Sequence, residues 1–394
     1  MNTTAPATKI CPVILAGGTG NRLWPLSTPE FPKQFLELFN QPSLLAQVLQ
    51  RINNQHFLPP VIVCNQQHSE LVSNTLVIQH IEHATILEEP KSQNTALAIA
   101  LACSWAHKHL STDTTLLILP ADQTIDPVQN WQQAIVKTLP EAQKGQLCLF
   151  GIEPAEPSPQ LGYILTNENH PQQISHFVEK PTTEKAKELM NTKRAYWNSG
   201  MFMAKLSAIE KWIYIKHKNL ANQPFDKAVV EPLCKADPNS LHITPLACHW
   251  QDLGSWEAIY EAAVKSSLPP TQRHWGHYTI LHQRPGCKLK LLHINPGASI
   301  SLQRHQHRTE HWVVIGGIAE VLLGEDLHLL ERFNISAKKR QTAEIVQIEV
   351  QSDSNHITVP SGFIHKLTNH GTSPLRLLET QTGSYLEEDD IERF

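Results

Sequence analysis

Short apolar runs alternate with longer amphipathic stretches through the first 150 residues. Residues 13–16, 61–64, 85–87, 116–119 and 147–150 are mostly aliphatic, the pattern of strands buried on both faces. Between them, residues 43–52 and 94–109 repeat their apolar positions at helical spacing, and Asn94 or Thr95 is placed to cap the second helix. This β-α-β alternation predicts a parallel sheet with helices on both faces. In such sheets ligands sit beyond the carboxyl ends of the strands. Residues 17–22, Glu89-Pro90 and Pro120-Ala121-Asp122 all fall at such ends, so they are expected to converge on one crevice.

Residues 151–265 read as mixed, with Gly162-Tyr163-Ile164 and residues 177–181 as extended pieces bordering the crevice. Leu268-Pro269-Pro270-Thr271-Gln272 reads as a linker. Beyond it the pattern changes to short alternating strands at 288–294, 299–303, 311–315, 318–323, 357–359 and 375–379. That pattern predicts an all-β domain, a small barrel. Residues 387–390 form an acidic run that reads as solvated surface, and the chain holds no internal repeat.

Composition narrows the class. Of 394 residues, 41% are hydrophobic and 18% charged, enough apolar matter for a packed core. A net charge of −4 gives no basic excess, so no nucleic-acid partner is expected. The first nine residues lack the apolar core of a signal peptide, and no apolar run is long enough to span a bilayer. Seven scattered cysteines without a C-x-x-C pair fit thiols in a reducing cytoplasm rather than a disulfide framework.

The candidate chemistry begins after the first strand. Gly17-Gly18-Thr19-Gly20 lets the backbone approach a phosphate closely. Arg22 and Lys33 add the cationic charge that a triphosphate needs. The spacing is neither that of the dinucleotide fingerprint nor that of a Walker loop. Asp122, after residues 116–119, is placed to hold Mg²⁺, and Asp252 is the candidate second ligand. Nucleotidyl transfer needs this set: positioned phosphates, cations around them, and a divalent metal held by carboxylates.

Residues 15–27, with Pro32-Lys33-Gln34-Phe35, resemble the sugar-1-phosphate nucleotidylyltransferases, and within them the mannose-1-phosphate guanylyltransferase branch. Pro120-Ala121-Asp122 is similar to the family's metal motif and residues 250–256 to its second acidic motif. Phe177-Val178-Glu179-Lys180-Pro181 is similar to the sugar-phosphate motif, which implies Lys180 on the phosphate and Glu179 on sugar hydroxyls. Residues 197–202 resemble the sugar-binding strand, implying Asn198 on a hydroxyl, and Gly162 is implied to contribute backbone contacts.

The second half carries another constellation. Gln303 and His305 lie two apart and so point the same way from a strand. With Glu310 and His365 they resemble the two cupin motifs, and their nitrogen and oxygen donors suit Zn²⁺, Mn²⁺, Co²⁺ or Fe²⁺. Residues 301–312 are similar to type II phosphomannose isomerase, whose metal polarises the sugar carbonyl while a proton moves through an enediol. That resemblance implies Arg308 on the phosphate and His311 as an assisting group.

Together the halves resemble the bifunctional mannose-1-phosphate guanylyltransferase/mannose-6-phosphate isomerase family. The resemblance implies an α/β, Rossmann-like (GT-A-like) nucleotidyltransferase domain over residues 1–267 and an all-β cupin barrel over 268–394. It implies GTP and mannose 1-phosphate as substrates, Mg²⁺ as cofactor, GDP-mannose and diphosphate as products, and a place in cytoplasmic polysaccharide biosynthesis. It also implies mannose 6-phosphate and fructose 6-phosphate as substrates of the second domain, and it allows a homo-oligomer. The chain departs from the family in four ways. The long segment that normally separates the motifs at Trp256 and Trp275 is missing. Gln93 and Gln123 stand where arginine and histidine are usual. Extra residues lie between 324 and 355, and the chain stops at Phe394. Two other readings stay open: a non-catalytic relative that binds a sugar nucleotide, and a transferase for another NTP and sugar 1-phosphate.

Overall fold

A computed structural model describes residues 10–18, 21–216, 220, 222–324, 345–349 and 356–394. Packing divides the chain into two units. One contains the first strand, Glu30–Phe35 and Ser43–Asp252; the other contains residues 21–29, Leu36–Pro42 and Leu253–Phe394. Most of the extra residues between 324 and 355 lie outside the described residues.

The first unit runs β1 (Ile10–Leu15), α1 (Leu44–Ile52), β2 (Val61–Asn65), α2 (Ser69–Ile78), β3 (Thr85–Glu89), α3 (Thr95–His109), β4 (Thr115–Pro120), β5 (Thr124–Asp126), α4 (Val128–Gln143) and β6 (Leu147–Ile152). It continues through β7 (Tyr163–Thr166), β8 (Ile174–Val178), α5 (Thr183–Asn191), β9 (Ala195–Lys205), α6 (Leu206–Lys216), α7 (Glu231–Ala236), β10 (Leu241–Pro245) and β11 (His249–Gln251). The main sheet has the order β10-β6-β9-β4-β1-β2-β3, with β7 and β8 attached through β9. β1 is parallel to β2 and β4, but β9 is antiparallel to β4 and β6. The sheet is therefore mixed rather than all parallel, since an apolar run such as residues 201–204 carries no mark of its direction.

Alternation along the strands fills both faces of this sheet. Cys11 and Val13 of β1, with Leu116 and Ile118 of β4, pack against α3 and α6. Ile10, Ile14, Leu117 and Leu119 pack against α1, α2 and α4. The two helices expected from periodicity begin where their caps place them. Ser43 Oγ accepts from Ala46 N at 3.3 Å, and Asn94 Oδ1 accepts from Thr95 N at 3.1 Å.

Gln123 knits the metal-motif loop into this frame. It is buried; its amide nitrogen donates to Ser199 O of β9 at 2.6 Å, and its amide oxygen accepts from Trp250 Nε1 of β11 at 2.9 Å. Its own carbonyl accepts from the Arg51 guanidinium at 2.7 Å. The residue that departs from the family pattern is thus a structural clamp whose side chain is turned into the fold.

In the second unit, α8 (Trp256–Lys265) precedes β12 (Thr271–Arg273), β13 (Gly276–Arg284), β14 (Cys287–Ile294), β15 (Gln303–His305), β16 (Arg308–Gly316), β17 (Ile318–Gly324), β18 (Ile345–Glu349), β19 (His356–Val359), β20 (Ile364–Asn369), β21 (Leu375–Gly383) and β22 (Ile391–Arg393). They form two sheets of order β12-β13-β14-β21-β16-β19 and β18-β17-β20-β15-β22. Leu292, Trp312, Leu375 and Leu377 from one sheet meet Ala319, Val321 and Leu367 from the other in a shared core. The strand expected at 299–303 is displaced to Gln303–His305; residue 299 makes only a single bridge, to Thr368. The N-terminal segments of this unit pack on the same framework. Phe39 N donates to Leu281 O at 2.8 Å, and the Trp24 ring stands edge-on to His311, with centroids 4.7 Å apart. The acidic run 387–390 is not free surface. Lys290 Nζ donates to Glu388 at 3.1 Å, Arg308 donates to Glu387 O at 3.1 Å, and Asp390 accepts from Gln306 N at 3.1 Å.

Replacing Gln123 with leucine leaves the Ser199 carbonyl and the Trp250 indole N–H without partners. Each buried group so orphaned costs about 1–3 kcal/mol, so the denaturant midpoint of Gln123→Leu is expected to fall well below that of the parent. An unchanged midpoint would show that the clamp carries no stability.

Candidate functional site

The first constellation gathers at the carboxyl ends of β1, β3 and β4. Gly17 and Gly18 follow β1 directly, and their carbonyls are pinned. Ser92 Oγ donates to Gly17 O at 2.6 Å, and Gln34 Nε2 donates to Gly18 O at 3.1 Å and Ala16 O at 2.7 Å. A Cβ at Gly17 would lie 3.0 Å from the Glu89 carboxylate, so any larger residue would crowd that side chain. Burial raises the pKa of Glu89 above the ordinary carboxylate range. Gly20 lies outside the described residues. Arg22 sits exposed on the one-turn 3-10 helix Asn21–Leu23, in the second unit.

Lys33 is 4% exposed, an unusual environment for an ammonium, and carries its own neutralisation. Its Nζ lies 2.9 Å from the Asp122 carboxylate and donates to the backbone carbonyl of Asp252. One cation therefore touches both residues expected to hold Mg²⁺. The carboxylate oxygens of such residues are hard donors that suit that ion. Leu253, directly after Asp252, has φ +44°, an uncommon conformation for a branched side chain and one that clusters at functional sites.

The sugar-motif residues come together from β7, β8 and β9. Asn198 N donates to Gly162 O at 2.8 Å. A Cβ at Gly162 would meet the Glu179 carboxylate at 2.7 Å, so only glycine admits that carboxylate. Lys180 is exposed with φ +45°, and its ammonium lies 3.9 Å from Glu179. Sequence reasoning missed Asp226, which opens the π-helical turn Asp226–Val230. Asn198 Nδ2 donates to Asp226 Oδ1 at 2.6 Å. Burial first, then the Glu179 carboxylate, push Asp226 up to about 6. The sequence signal for it is faint: a lone acid before the apolar triplet Ala228-Val229-Val230. Ser92 was missed as well, and Gln34 was named only as part of its motif, not as a partner of the Ala16 and Gly18 carbonyls.

In the second unit, ligand atoms of His305, Glu310 and His365 lie within 4.8 Å of one another, all three residues buried. Glu310 Oε1 is 3.2 Å from His305 Nε2, and Oε2 is 3.7 Å from His365 Nε2. Gln303 Nε2 lies 3.4 Å from His305 Nε2 and 3.3 Å from His365 Nε2. His365 Nδ1 reaches Phe363 O at 3.1 Å. That contact places the proton on Nδ1 and leaves the Nε2 lone pair to donate, as metal-ligating histidines require. Burial lowers the pKa of His365 despite Glu310. Burial would raise Glu310, but the His305 hydrogen bond and the charges of His365, His305 and Arg308 hold it far below the usual range. Glu310 Oε2 has no hydrogen-bond partner though buried, so this nitrogen and oxygen set fits a divalent transition metal.

Arg308 belongs to the same cluster. Its Nε donates to Glu310 Oε1 at 3.1 Å, and its guanidinium reaches His305 Nε2 at 3.2 Å. His311 does not join it. One residue past Glu310 on β16, it points to the opposite face, where Nδ1 meets Thr358 Oγ1 at 3.2 Å and the ring meets Trp24. Beneath the cluster lie two residues that the sequence did not single out. Gln381 Nε2 donates to Glu310 at 3.2 Å and to Glu379 at 2.8 Å.

Residues 11–267 match the nucleotidyl transferase family, and residues 268–394 match the mannose-6-phosphate isomerase C-terminal family. The chain is 30% identical to the alginate biosynthesis protein AlgA of Pseudomonas syringae pv. tomato over 487 aligned positions, covering 97% of this chain and 95% of that one. It is also 30% identical to a mannose-1-phosphate guanylyltransferase of Klebsiella pneumoniae over 489 positions, covering 98% of each. Both alignments span more positions than the 394 residues can fill, so these relatives carry residues opposite gaps here. A crystal structure from Thermus thermophilus, described as a mannose-1-phosphate geranyltransferase, superposes with TM-score 0.57 at 25% identity, covering 67% of this chain and 81% of that one.

The raised Asp226 has a thermodynamic signature. Below its ordinary value of 3.8 the group is protonated whether folded or not and contributes nothing. As pH rises toward about 6, the unfolded chain releases the proton before the folded chain does, and stability falls. Asp226→Asn is expected to gain on the parent across this interval and to hold a constant difference above it, read from melting temperatures between pH 3.5 and 8. Parallel pH profiles for the two proteins would refute the assignment.

Proposed function

We propose, for a chain that belongs to the nucleotidyl transferase family and bears a mannose-6-phosphate isomerase C-terminal domain, that it converts GTP and α-D-mannose 1-phosphate to GDP-mannose and diphosphate. The observation that carries this reading is the Lys33 ammonium held between the Asp122 carboxylate and the Asp252 carbonyl, at the strand ends beside the glycine loop. The names of the guanylyltransferase and AlgA relatives support the choice of substrate.

In this reading a phosphate oxygen of mannose 1-phosphate attacks the α-phosphorus of GTP. The α–β bridging bond breaks and diphosphate leaves with the electron pair. Gly17 and Gly18 give the triphosphate close approach, and Lys33 offsets its charge. Lys180 receives the sugar phosphate, while Glu179, Asn198 and the Gly162 backbone, with Asp226 behind them, orient the hydroxyls. Asp122 and Asp252 would hold Mg²⁺, which supplies Lewis-acid stabilisation of the phosphoryl charge. Because Lys33 already binds Asp122, the carboxylate that would hold the ion is fixed before substrate arrives.

A second activity, interconversion of mannose 6-phosphate and fructose 6-phosphate, is favoured by the convergence of His305, Glu310 and His365. These residues, with Gln303, would hold Zn²⁺, Co²⁺ or Mn²⁺, and Arg308 would meet the substrate phosphate. His311 has no part in this proposal. We place both reactions in the cytoplasm, in keeping with seven free cysteine thiols, as a supply of GDP-mannose for polysaccharide synthesis.

Product analysis tests the reading: purified chain with Mg²⁺, mannose 1-phosphate and each NTP in turn. GDP-mannose from GTP alone is expected. Another nucleotide product would change the substrate assignment, and GDP-mannose binding without turnover would identify a non-catalytic relative. Lys33→Ala or Asp122→Asn is expected to depress transfer by at least ~10²-fold, the scale of removing one preorganised charged group, with isomerisation unchanged. His305→Ala is expected to do the reverse, and crossed losses would contradict two separate sites.

A further inference from the structure

Gln303 and His305 stand on a strand of three residues. On one edge, β15 pairs with β20 at Gln303↔His365, and Gly362 N donates to His305 O at 2.7 Å. The other edge is covered by β22, which pairs along the full length of β15: Gln303 with Arg393, Arg304 with Glu392 and His305 with Ile391. Residues on either side extend this cover. Phe394 N donates to Leu302 O at 3.0 Å. The Arg304 guanidinium donates twice to Glu392 Oε2, at 2.9 and 2.6 Å, and lies 5.5 Å from the centroid of the Phe394 ring. The Asp390 carboxylate accepts from Gln306 N at 3.1 Å and His307 N at 3.3 Å, capping the turn that joins β15 to β16. Glu387 O holds the guanidinium of Arg308, which in turn touches His305 and Glu310.

We propose that residues 387–394 are a positioning strap for the metal centre: Asp390 and Glu392 fix β15 and the turn after it so that Gln303 and His305 face Glu310 and His365. The inference rests on reading those four side chains as metal ligands, and it assigns a function to an acidic run that composition alone marks as surface. The strap lies beside the ligand strand, with Arg393 opposite Gln303 and Ile391 opposite His305. It acts through the backbone of the ligand strand and through Arg308, so Asp390 and Glu392 are positioning residues. Groups that orient ligands in this way typically govern metal affinity by about 10–100-fold. The charge pattern agrees, because the Asp390 and Glu392 carboxylates each meet donors of the β15–β16 segment.

The test is a Co²⁺ titration of the full chain followed by visible d–d absorption, with melting temperature measured in parallel. The parent is expected to give a saturable spectrum that His305→Ala abolishes. Asp390→Asn combined with Glu392→Gln is expected to weaken Co²⁺ binding at least ~10-fold and to alter the band shape. Should the double variant fail to fold, Glu392→Gln alone decides, since it keeps the strand pairing and loses only the ion pair. A second pair gives the rescue. Glu392→Arg is expected to weaken binding, and adding Arg304→Glu to it, which restores the pair in reverse, is expected to recover it. Parent-like affinity and spectrum in the folded strap variants would overturn the strap alone. A parent without a saturable spectrum, or one that His305→Ala leaves intact, would overturn the ligand assignment and the strap with it.

Discussion

A strand buried on both faces has no room for chemistry along its length. β1 and, after Thr115, β4 are apolar because each side chain faces one of two cores, and a polar group at those positions would be stranded away from water. Polar function is therefore pushed to where the strands stop. The glycine loop, Glu89 and Asp122 occur at the carboxyl ends of β1, β3 and β4 for that reason. The parallel order β4-β1-β2-β3 brings those ends to one edge of the sheet without any further device.

The second unit meets the same penalty in another way. It places Glu310, His305, His365, Arg308, Gln381 and Glu379 inside a β structure, all buried. The cost is offset by mutual pairing. Arg308 faces Glu310 at 3.1 Å, Lys290 lies 3.8 Å from Glu379, and the Trp312 indole donates to Glu379 at 3.1 Å. Burial and the Glu310 carboxylate still raise Glu379 to about 7, so compensation is incomplete where acids crowd. Such a cluster is poor as a source of stability and well suited to holding a cation.

Much of this was legible from residue order. The five strand cores, the helix over 43–52, the cap at Asn94, and the four ligand candidates of the second unit were readable because each is a local pattern: a run, a spacing or a cap. Lys33, Asp122 and Asp252 were readable singly, but not the bond that joins them, which needs the fold. What escaped was non-local. Asp226 meets Asn198 from 28 positions away, and Gln381 meets Glu310 from 71. Neither stands in a telling motif. His311 was misjudged because a motif gives proximity in sequence, whereas alternation in a strand sends neighbours to opposite faces. The antiparallel sense of β9 and the engagement of residues 387–390 were hidden because direction and partners are not written in composition.

The second unit also draws on both ends of the gene's reading order. Its segments at 21–29 and 36–42 are synthesised early, yet their partners come last: the Glu37 carbonyl accepts from His282 Nδ1 at 2.6 Å across 245 positions. At translation speeds of about 5–20 residues per second, roughly 10–50 s pass between the emergence of one and of the other. During that time the loop bearing Arg22 and Trp24 waits without its packing surface, and closing so long a loop is slow and entropically opposed. The nascent chain therefore cannot settle this loop in order of synthesis, and β13 and β16 set when it does.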